Sequence, residues 1–439
     1  RAEGMETAEH QSYSELYDSC QSWARALRAA GVTTGSVVAG YLPNCPAAIH
    51  AMLGAATLGA VWCSASPDFG VRGVLDRFQQ VQPQLLVTVD AVRYNAKVHD
   101  HLNKVQGVLA ELPSVTTVVL VPFVDKNVDV SAIKNCVLSG DFLASAEDDC
   151  SVEFVQLPFD QPLFVMFSSG TTGPPKCIVH GAGGTLIQIC KEHSLHCDLN
   201  RDDVFTYYTT IGWMMWQWLV CGLYAGCCLL LYDGSPLVPT PTRIWDLVDQ
   251  FGVTVLGTGA KWLSVLEAKG VVPASSHKLT KLRCVLSTGS PLTPASFRYV
   301  YNSIKKDVML GSISGGSDII SCFMGSCPIL PVYEGEVQCR MLGMGIQVWG
   351  PDGPVFDTPG ELVCTVPFPS MPVTFWGPDG EKKYRRAYFE NIPGVWSHGD
   401  YCVLHSATGG LVMMGRSDGT LNPSGVRFGS ADIYAIGQY

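Results

Sequence analysis

The strongest constraint on the fold is a series of short, almost wholly apolar segments separated mostly by stretches with helical spacing. Each is four to six residues long, which suits a strand better than a helix. The segments are VVAGYL (37–42), LLVTV (85–89), TTVVLV (116–121), LFVMF (163–167), LLLY (229–232), VTVLG (253–257) and RCVLS (283–287). Apolar strands that alternate with helices are typical of parallel sheets buried on both faces. We therefore predict an α/β fold.

The N-terminal region predicts two helices around the first strand. Ser14 precedes apolar positions at a helical period and Gly31 follows them, so we expect Ser14 to cap a helix that ends at Gly31. A second helix, made of small residues, is expected over 47–60.

The local composition of the sequence changes near Pro328, where short segments rich in Gly and Pro begin. These segments are GEVQCRM, QVWG, GELVCTV, YCVLH and GLVMMG. We expect a β-rich subdomain from about 328 to 416, packed on a large domain that spans 1–416. A further unit is expected to start near Ser417.

Composition indicates a large buried core and excludes some classes of partner. The 439 residues are 47% hydrophobic and 15% charged, with a formal net charge of −10. Nucleic-acid binding needs clustered Lys and Arg, so we do not expect it. The seventeen cysteines are scattered without a CxxC pair, and the N-terminus is too polar for a signal peptide, which predicts a cytosolic protein. The first residue is Arg, so the sequence is expected to be a fragment.

One apolar stretch, IGWMMWQWLVCGLYAGCCLLLY (211–232), is long enough to cross a bilayer. Its glycines interrupt it, and the nearest basic residues are Arg201 and Arg243, so the cationic flanks of a membrane span are missing. We expect a buried helix followed by a strand, with membrane contact as the alternative.

The segment FSSGTTGPPKCIVH (167–180) follows a predicted strand and is dense in Ser, Thr and Gly. It lacks the spacing of a Walker loop. Backbone N–H groups in a turn, hydroxyl donors and one cation nevertheless suit phosphate. A flexible surface loop is the alternative. The candidate phosphate ligands are Ser168, Ser169, Gly170, Thr171, Thr172, Gly173 and Lys176.

Four segments in order resemble adenylate-forming acyl-CoA synthetases: SSGTTGPPK (168–176), GSISGGSDI (311–319), WSHGD (396–400) and GRSDGTLNPSGVRFGSADI (415–433). The resemblance implies a large adenylation domain over 1–416, built from two parallel α/β sheets wrapped by helices and a β-rich subdomain. It also implies that 417–439 hold the hinge and a remnant of a truncated small C-terminal domain.

The resemblance implies a ligase that uses ATP, Mg²⁺ and coenzyme A, and acetoacetate is the expected acid. Another short acid, or a truncated chain without catalysis, is the alternative. The family carries an essential lysine near the end of its small domain. No counterpart precedes Tyr439, so this chain is expected to bind ATP or an acyl-adenylate but to make acyl-CoA poorly.

Several residues take roles from the resemblance. Lys176, Ser317 and Asp318 are expected to be catalytic, and Asp318 to contact Mg²⁺ because its oxygens are hard ligands; a solvated loop acid is the alternative for Asp318. The nucleotide is expected to contact Gly289, Ser290, Pro291, Asp400, Arg416 and Arg427, with Asp400 and Arg416 at the ribose. Asp418 is expected at the hinge, and His398 either contacts the nucleotide or packs.

The acyl pocket is predicted around an aromatic and Met-rich segment. Its expected walls are Trp213, Met214, Met215 and Trp216, with His180 nearby. Packing in the hydrophobic core is an equal alternative for these aromatic and Met residues. Lys261 lies in an apolar run, where it either binds the keto oxygen of the acid or is a surface residue.

The segment CKEHSLHC (190–197) offers two Cys and two His within eight residues. Zinc sites usually gather ligand pairs from separate segments, so a helix flank is the favoured interpretation and a metal site the alternative.

Overall fold

The computed structural model describes residues 1–146, 151–168 and 174–417. Its α-helices are α1 (Tyr13–Ala29), α2 (Pro46–Thr57), α3 (Val71–Val81), α4 (Leu102–Ala110), α5 (Ser139–Ala144), α6 (Ala182–Lys191), α7 (Met214–Val220), α8 (Arg243–Phe251), α9 (Ala260–Ala268), α10 (Pro294–Tyr299) and α11 (Gly380–Phe389). Two π-helical turns follow α6 and α10, at Glu192–His196 and Val300–Ile304. Two 3₁₀ turns occur at Cys221–Ala225 and Pro273–Ser275.

The first sheet has eight strands. They are β1 (Val37–Tyr41), β2 (Val61–Ala65), β3 (Leu85–Val89), β6 (Thr117–Val121), β7 (Cys136–Leu138), β8 (Pro162–Ser168), β9 (Lys176–Gly181) and β21 (Thr374–Phe375). Their spatial order is β21-β9-β8-β2-β1-β3-β6-β7. The six strands from β8 to β7 are parallel, and β9 runs antiparallel to β8.

Helices cover both faces of this first sheet. Alternate residues of β1 face opposite sides: Val38 packs with the α1 and α2 residues Trp23 and Met52, whereas Ala39 packs with Phe78 of α3 and Val108 of α4. A strand buried on both faces needs apolar residues throughout, which is why these strands read as continuous apolar runs.

The second sheet has five strands, all parallel: β10 (Val204–Tyr207), β11 (Cys228–Leu229), β12 (Val255–Gly259), β13 (Cys284–Thr288) and β14 (Met309–Ser312). Their order is β11-β10-β12-β13-β14. The two parallel sheets confirm the predicted fold class.

The remaining strands form antiparallel sheets. A three-stranded sheet contains β15 (Ser314–Gly316), β16 (Ser321–Gly325) and β17 (Cys339–Arg340). A five-stranded sheet contains β18 (Ile346–Gly350), β19 (Gly353–Pro354), β20 (Gly360–Cys364), β22 (Trp396–Leu404) and β23 (Leu411–Arg416). A hairpin pairs β4 (Ala91–Tyr94) with β5 (Lys97–Asp100). The second of these sheets lies within the predicted β-rich interval; the domain boundaries themselves stay predictions.

Two details of the predicted elements were wrong. The cap of α1 is Ser12, whose hydroxyl accepts a hydrogen bond from the Glu15 backbone, while the Glu15 carboxylate accepts one from the Ser12 backbone. This reciprocal pair satisfies N–H groups that Ser14, already inside the helix, cannot reach. The LLLY segment is also mostly irregular, because β11 ends at Leu229.

The apolar stretch 211–232 forms the expected helix and short strand, α7 and β11. None of the helices in the described residues combines the length and apolarity needed to cross a bilayer. The segment 190–197 likewise forms the end of α6 and the following π-helical turn, so the helix-flank interpretation is confirmed.

Candidate active site

The candidate site begins where β8 ends and β9 starts. Ser168 and Lys176 are the last pair of the β8–β9 ladder, so they hold the two ends of the predicted phosphate segment side by side. Because β9 is antiparallel to β8, Lys176 lies at the carboxyl edge of the parallel strands, the edge where α/β proteins bind ligands. The Ser168 hydroxyl is buried and makes no hydrogen bond to any described residue. The predicted ligands Ser169, Gly170, Thr171, Thr172 and Gly173 lie outside the described residues.

Lys176 and Asp318, which are far apart in the chain, meet at this edge. The Lys176 Nζ lies 3.5 Å from Asp318 Oδ1, and the Asp318 side chain is only 2% exposed. The Tyr388 hydroxyl of α11 donates to the same oxygen at 2.6 Å. The Asp318 carboxylate is therefore held in place by a cation and a hydroxyl group.

His180 joins β9 to the backbone that carries Asp318. Its Nε2 lies 2.8 Å from the Ser317 carbonyl oxygen, which can only accept, so Nε2 holds the proton. Burial lowers the pKa of His180 to about 4, so the ring is neutral at neutral pH. His180 is fully buried, and its contact with an acyl group stays a prediction.

Asp400 and Arg416 form the second predicted group of the site. They are directly opposed on β22 and β23, and Arg416 Nη1 lies 3.0 Å from Asp400 Oδ1. His398 Nε2 lies 3.5 Å from the other oxygen, Oδ2. Gly399 has a φ of +79°, which only glycine adopts readily, and its N–H donates to Glu361 at 3.0 Å. A carboxylate has four lone-pair positions, so Asp400 can still accept from two hydroxyl groups.

A row of aromatic rings connects the two groups. Tyr388 stacks on Trp396, with ring centroids 3.8 Å apart and planes 12° apart. Trp396 in turn lies 6.4 Å from His398 in a stacked arrangement. Lys176 and Asp318 are therefore linked to Asp400 through a continuous series of side-chain contacts. Sequence reasoning missed Tyr388 and Glu361, because their hydrogen-bond partners lie in distant segments, and it gave Trp396 no role of its own.

The other predicted residues follow strands of the second sheet. Gly289, with a φ of +90°, Ser290 and Pro291 come directly after β13. Thr288, the last residue of β13, donates its hydroxyl to the Ile313 carbonyl at 2.9 Å, which joins this turn to the segment before Asp318. Lys261 is the second residue of α9, which directly follows β12, and it is exposed. Its position at the carboxyl edge fits a pocket rim, and binding of substrate stays a prediction.

The predicted acyl-pocket residues differ in burial. Trp213 is 40% exposed, whereas Met214, Met215 and Trp216 are buried. The Trp216 indole N–H donates to Asn44 at 3.0 Å, and its ring stacks on Trp62 of β2. Trp216 is therefore part of the core, Trp213 is the exposed member of this group, and the acyl-pocket role of all four stays a prediction.

A buried acid that sequence reasoning missed lies beside the pocket segment. Glu192 accepts hydrogen bonds from Trp218 of α7 at 2.8 Å and from Ser321 of β16 at 2.6 Å. It also accepts from Gln188 of α6 at 3.0 Å. Glu192 thus joins three elements, and the local sequence, with Lys191 before it and His193 after it, gave no signal that it would be buried.

The donor set fits a magnesium ion that arrives with a nucleotide. Among the described residues, no group of three or more His, Cys, Asp or Glu side chains could hold a metal alone. Magnesium usually takes one or two carboxylates and completes its shell with phosphate oxygens and water. Asp318 supplies such a carboxylate next to Lys176, the predicted phosphate-binding cation.

The fold and this arrangement can now be compared with those of known proteins. The family described as AMP-binding enzyme matches residues 3–363, and the chain belongs to that family. It is 56% identical to the acetoacetyl-CoA synthetase of Mus musculus over 99% of this chain and 65% of that protein. It is 55% identical to that of Gallus gallus, over 99% of this chain and 66% of the relative.

A solved structure agrees with these sequence relatives. The acetoacetyl-CoA synthetase from Streptomyces lividans has a TM-score of 0.87 and 44% sequence identity, and the match covers 97% of this chain and 65% of that one. The chain therefore spans about two thirds of the length of the proteins it resembles. The predicted Asp418 and Arg427 lie outside the described residues.

Proposed function

We propose that this chain forms the nucleotide- and acid-binding domain of an acetoacetate–CoA ligase. In the first step, a carboxylate oxygen of acetoacetate attacks the α-phosphorus of ATP, and pyrophosphate leaves with its bond to that phosphorus broken. In the second step, the thiol of coenzyme A attacks the acyl carbon of acetoacetyl-AMP, giving acetoacetyl-CoA and AMP. The single observation that carries the proposal is the Lys176–Asp318 pair, joined by stacked rings to the Asp400–Arg416 pair.

Both steps depend on positioning and on neutralising charge rather than on a protein nucleophile. Lys176 and the hydroxyls from Ser168 to Thr172 would bind the β- and γ-phosphates, and Asp318 would bind Mg²⁺, with Ser317 beside it. Magnesium would supply charge neutralisation at the phosphates. Asp400 and Arg416 would hold the ribose, and Arg427 the nucleotide phosphate.

The remaining residues would complete the substrate sites. Gly289, Ser290 and Pro291 would border the adenine, and Trp213 would border the acid. Lys261 would bind the keto oxygen from the pocket rim. Asp418 would act as the hinge. All sixteen cysteines in the described part of the chain are free thiols, which supports a reducing cytosolic location.

Calorimetric titration tests the nucleotide site directly. The purified chain should bind MgATP, and a non-hydrolysable acetoacetyl-adenylate analogue should bind more tightly because it fills both sites. Asp400→Asn should weaken both by about tenfold or more, since a charged acceptor of ribose hydroxyls is lost. The control is Asp357→Asn, an exposed acid near the same sheet, which should leave both affinities unchanged.

The rate of pyrophosphate release with different acids distinguishes the proposed function from its alternatives. Release that is fastest with acetoacetate supports the proposal, whereas preference for acetate or propionate assigns the chain to a related short-acid ligase. Binding without release for any of these acids supports a non-catalytic binder. If the wild-type chain binds neither MgATP nor the analogue, the proposed function is wrong.

A further inference from the structure

Tyr388 lies at the junction of the two predicted groups and is not explained by core packing alone. Its ring is stacked on Trp396 at 3.8 Å, and the Lys176 Nζ lies 5.1 Å from the centre of the same ring. A cation at this distance is attracted to the π face. Tyr388 therefore contacts the predicted phosphate-binding cation and the strand that carries Asp400.

The hydroxyl of Tyr388 adds a contact that a phenylalanine could not make. It donates to Asp318 Oδ1 at 2.6 Å, the oxygen that also lies 3.5 Å from Lys176. A buried tyrosine hydroxyl usually needs a polar partner, and one bonded to a carboxylate forms a short, strong hydrogen bond. One hydrogen bond and one ion pair on the same oxygen restrict the rotation of the carboxylate about its Cβ–Cγ bond.

A neighbouring tyrosine provides an internal comparison. Tyr384 lies one turn earlier on α11 and packs in the same aromatic cluster, 5.6 Å from Tyr388 and 6.2 Å from Trp396. Within the described residues, its hydroxyl bonds no carboxylate. Packing in this cluster therefore requires an aromatic ring but no hydroxyl at a defined place, whereas Tyr388 supplies both.

We propose that Tyr388 is a positioning residue for magnesium-bound nucleotide: its hydroxyl orients the Asp318 carboxylate, and its ring holds the Lys176 ammonium beside it. This inference rests on the proposed function, because it assumes that Asp318 faces Mg²⁺. It goes beyond that function by assigning α11 a role at the phosphates. The effect of Tyr388 passes through Asp318 and Lys176, not through direct contact with the acid.

The test compares Tyr388→Phe with Tyr384→Phe in the purified chain, by calorimetry with ATP plus Mg²⁺ and with ATP plus EDTA. Tyr388→Phe keeps the ring and removes the hydroxyl, so MgATP should bind about tenfold more weakly, the size expected for losing one charged hydrogen bond. Binding of ATP in EDTA should change less than about twofold. Tyr384→Phe should match the wild type in both conditions.

A double-mutant cycle with Asp318→Asn gives a second readout. If the hydroxyl acts through Asp318, adding Tyr388→Phe to Asp318→Asn should cause little further loss of MgATP affinity. Additive losses, or equal weakening with and without Mg²⁺, would overturn the inference. Wild-type chain that fails to bind MgATP would instead reject the proposed function.

If Tyr388→Phe does not fold, amide hydrogen exchange of the wild-type chain tests the same inference. Addition of MgATP should slow exchange across α11, because Asp318 and Lys176 become anchored and hold Tyr388 in place. ATP with EDTA should slow it much less. Equal exchange of α11 in both conditions would contradict the role of Tyr388.

Discussion

At the residue scale, burial sets the charge of His193. It is 1% exposed, and its ring lies edge-on to Trp218 with centroids 4.3 Å apart. Desolvation lowers the pKa of His193 to about 3 from the ordinary value of 6.5. A residue that looks like a metal ligand in the sequence is therefore a neutral core histidine. Its burial follows from distant aromatic residues that the local pattern does not reveal.

The pH dependence of stability follows from this shift. Between about pH 6.5 and pH 3, the unfolded chain holds a proton on His193 that the folded chain excludes, so the free energy of unfolding falls as the pH falls. Above about pH 6.5, His193 causes no loss of stability. Between pH 6.5 and pH 3, the free energy of unfolding falls by up to about 1.4 kcal/mol for each pH unit. His193→Phe should reduce this slope in urea unfolding measured from pH 4.5 to 7.5.

An exposed histidine provides the control for this experiment. His99→Phe, on the surface hairpin, should leave the slope as it is in the wild type. Other buried histidines, His101 and His180 among them, keep part of the pH dependence in every variant. If unfolding free energy changes equally with pH in His193→Phe and in the wild type, the conclusion that the folded chain keeps His193 neutral is wrong.

At the element scale, the sequence predicted the strands well and their boundaries less well. LLVTV matches β3 residue for residue, because a strand buried on both faces leaves no ambiguity in an apolar run. The start of α1 was misassigned, since Ser12 and Ser14 both precede apolar residues at helical spacing. The distinguishing signal was Glu15, three residues after Ser12, which forms a capping box only with that serine.

The cap assignment makes a local prediction. Ser12→Ala removes the acceptor for the Glu15 backbone N–H, which should cost about 1 kcal/mol locally and raise amide exchange in the first turn of α1 about fivefold. Ser14→Ala, at an exposed helical position, should leave that exchange unchanged. Faster exchange in Ser14→Ala than in Ser12→Ala would restore Ser14 as the cap.

At the scale of the whole molecule, α7 joins the two parallel sheets. Trp216 stacks on Trp62 of the first sheet at 6.5 Å. Trp218, two residues later, lies 5.7 Å from Phe205 of the second sheet. The segment that sequence reasoning assigned to an acyl pocket is thus also the packing between the two halves of the large body.

These two roles can be separated by substitution. Trp216→Ala should lower the free energy of unfolding by about 3–5 kcal/mol, because it opens a cavity and removes the hydrogen-bond donor to Asn44 Oδ1. Trp213→Ala, at a half-exposed position, should leave the unfolding midpoint nearly unchanged but alter binding of the acetoacetyl-adenylate analogue. Thermal unfolding and calorimetry on both variants check this. A large loss of stability in Trp213→Ala would assign that residue to the core as well.

The site was predictable where chemistry is concentrated in short segments and unpredictable where it depends on tertiary contact. Lys176, Asp318, Asp400 and Arg416 stood out because their segments resemble the motifs of a known family, and their roles stay predictions. Tyr388 did not, because an aromatic residue on an amphipathic helix is ordinarily core. Only the folded chain brings its hydroxyl to a carboxylate seventy positions away.

The terminal pairing of Ser168 with Lys176 has a consequence for insertions and deletions. Side chains alternate between sheet faces, so one extra residue inside β9 would turn the lysine to the opposite face and separate it from Asp318. An extra residue between the paired positions leaves the ladder register intact. One residue added inside β9 should therefore separate Lys176 from Asp318, whereas one added between the paired positions should leave this contact in place.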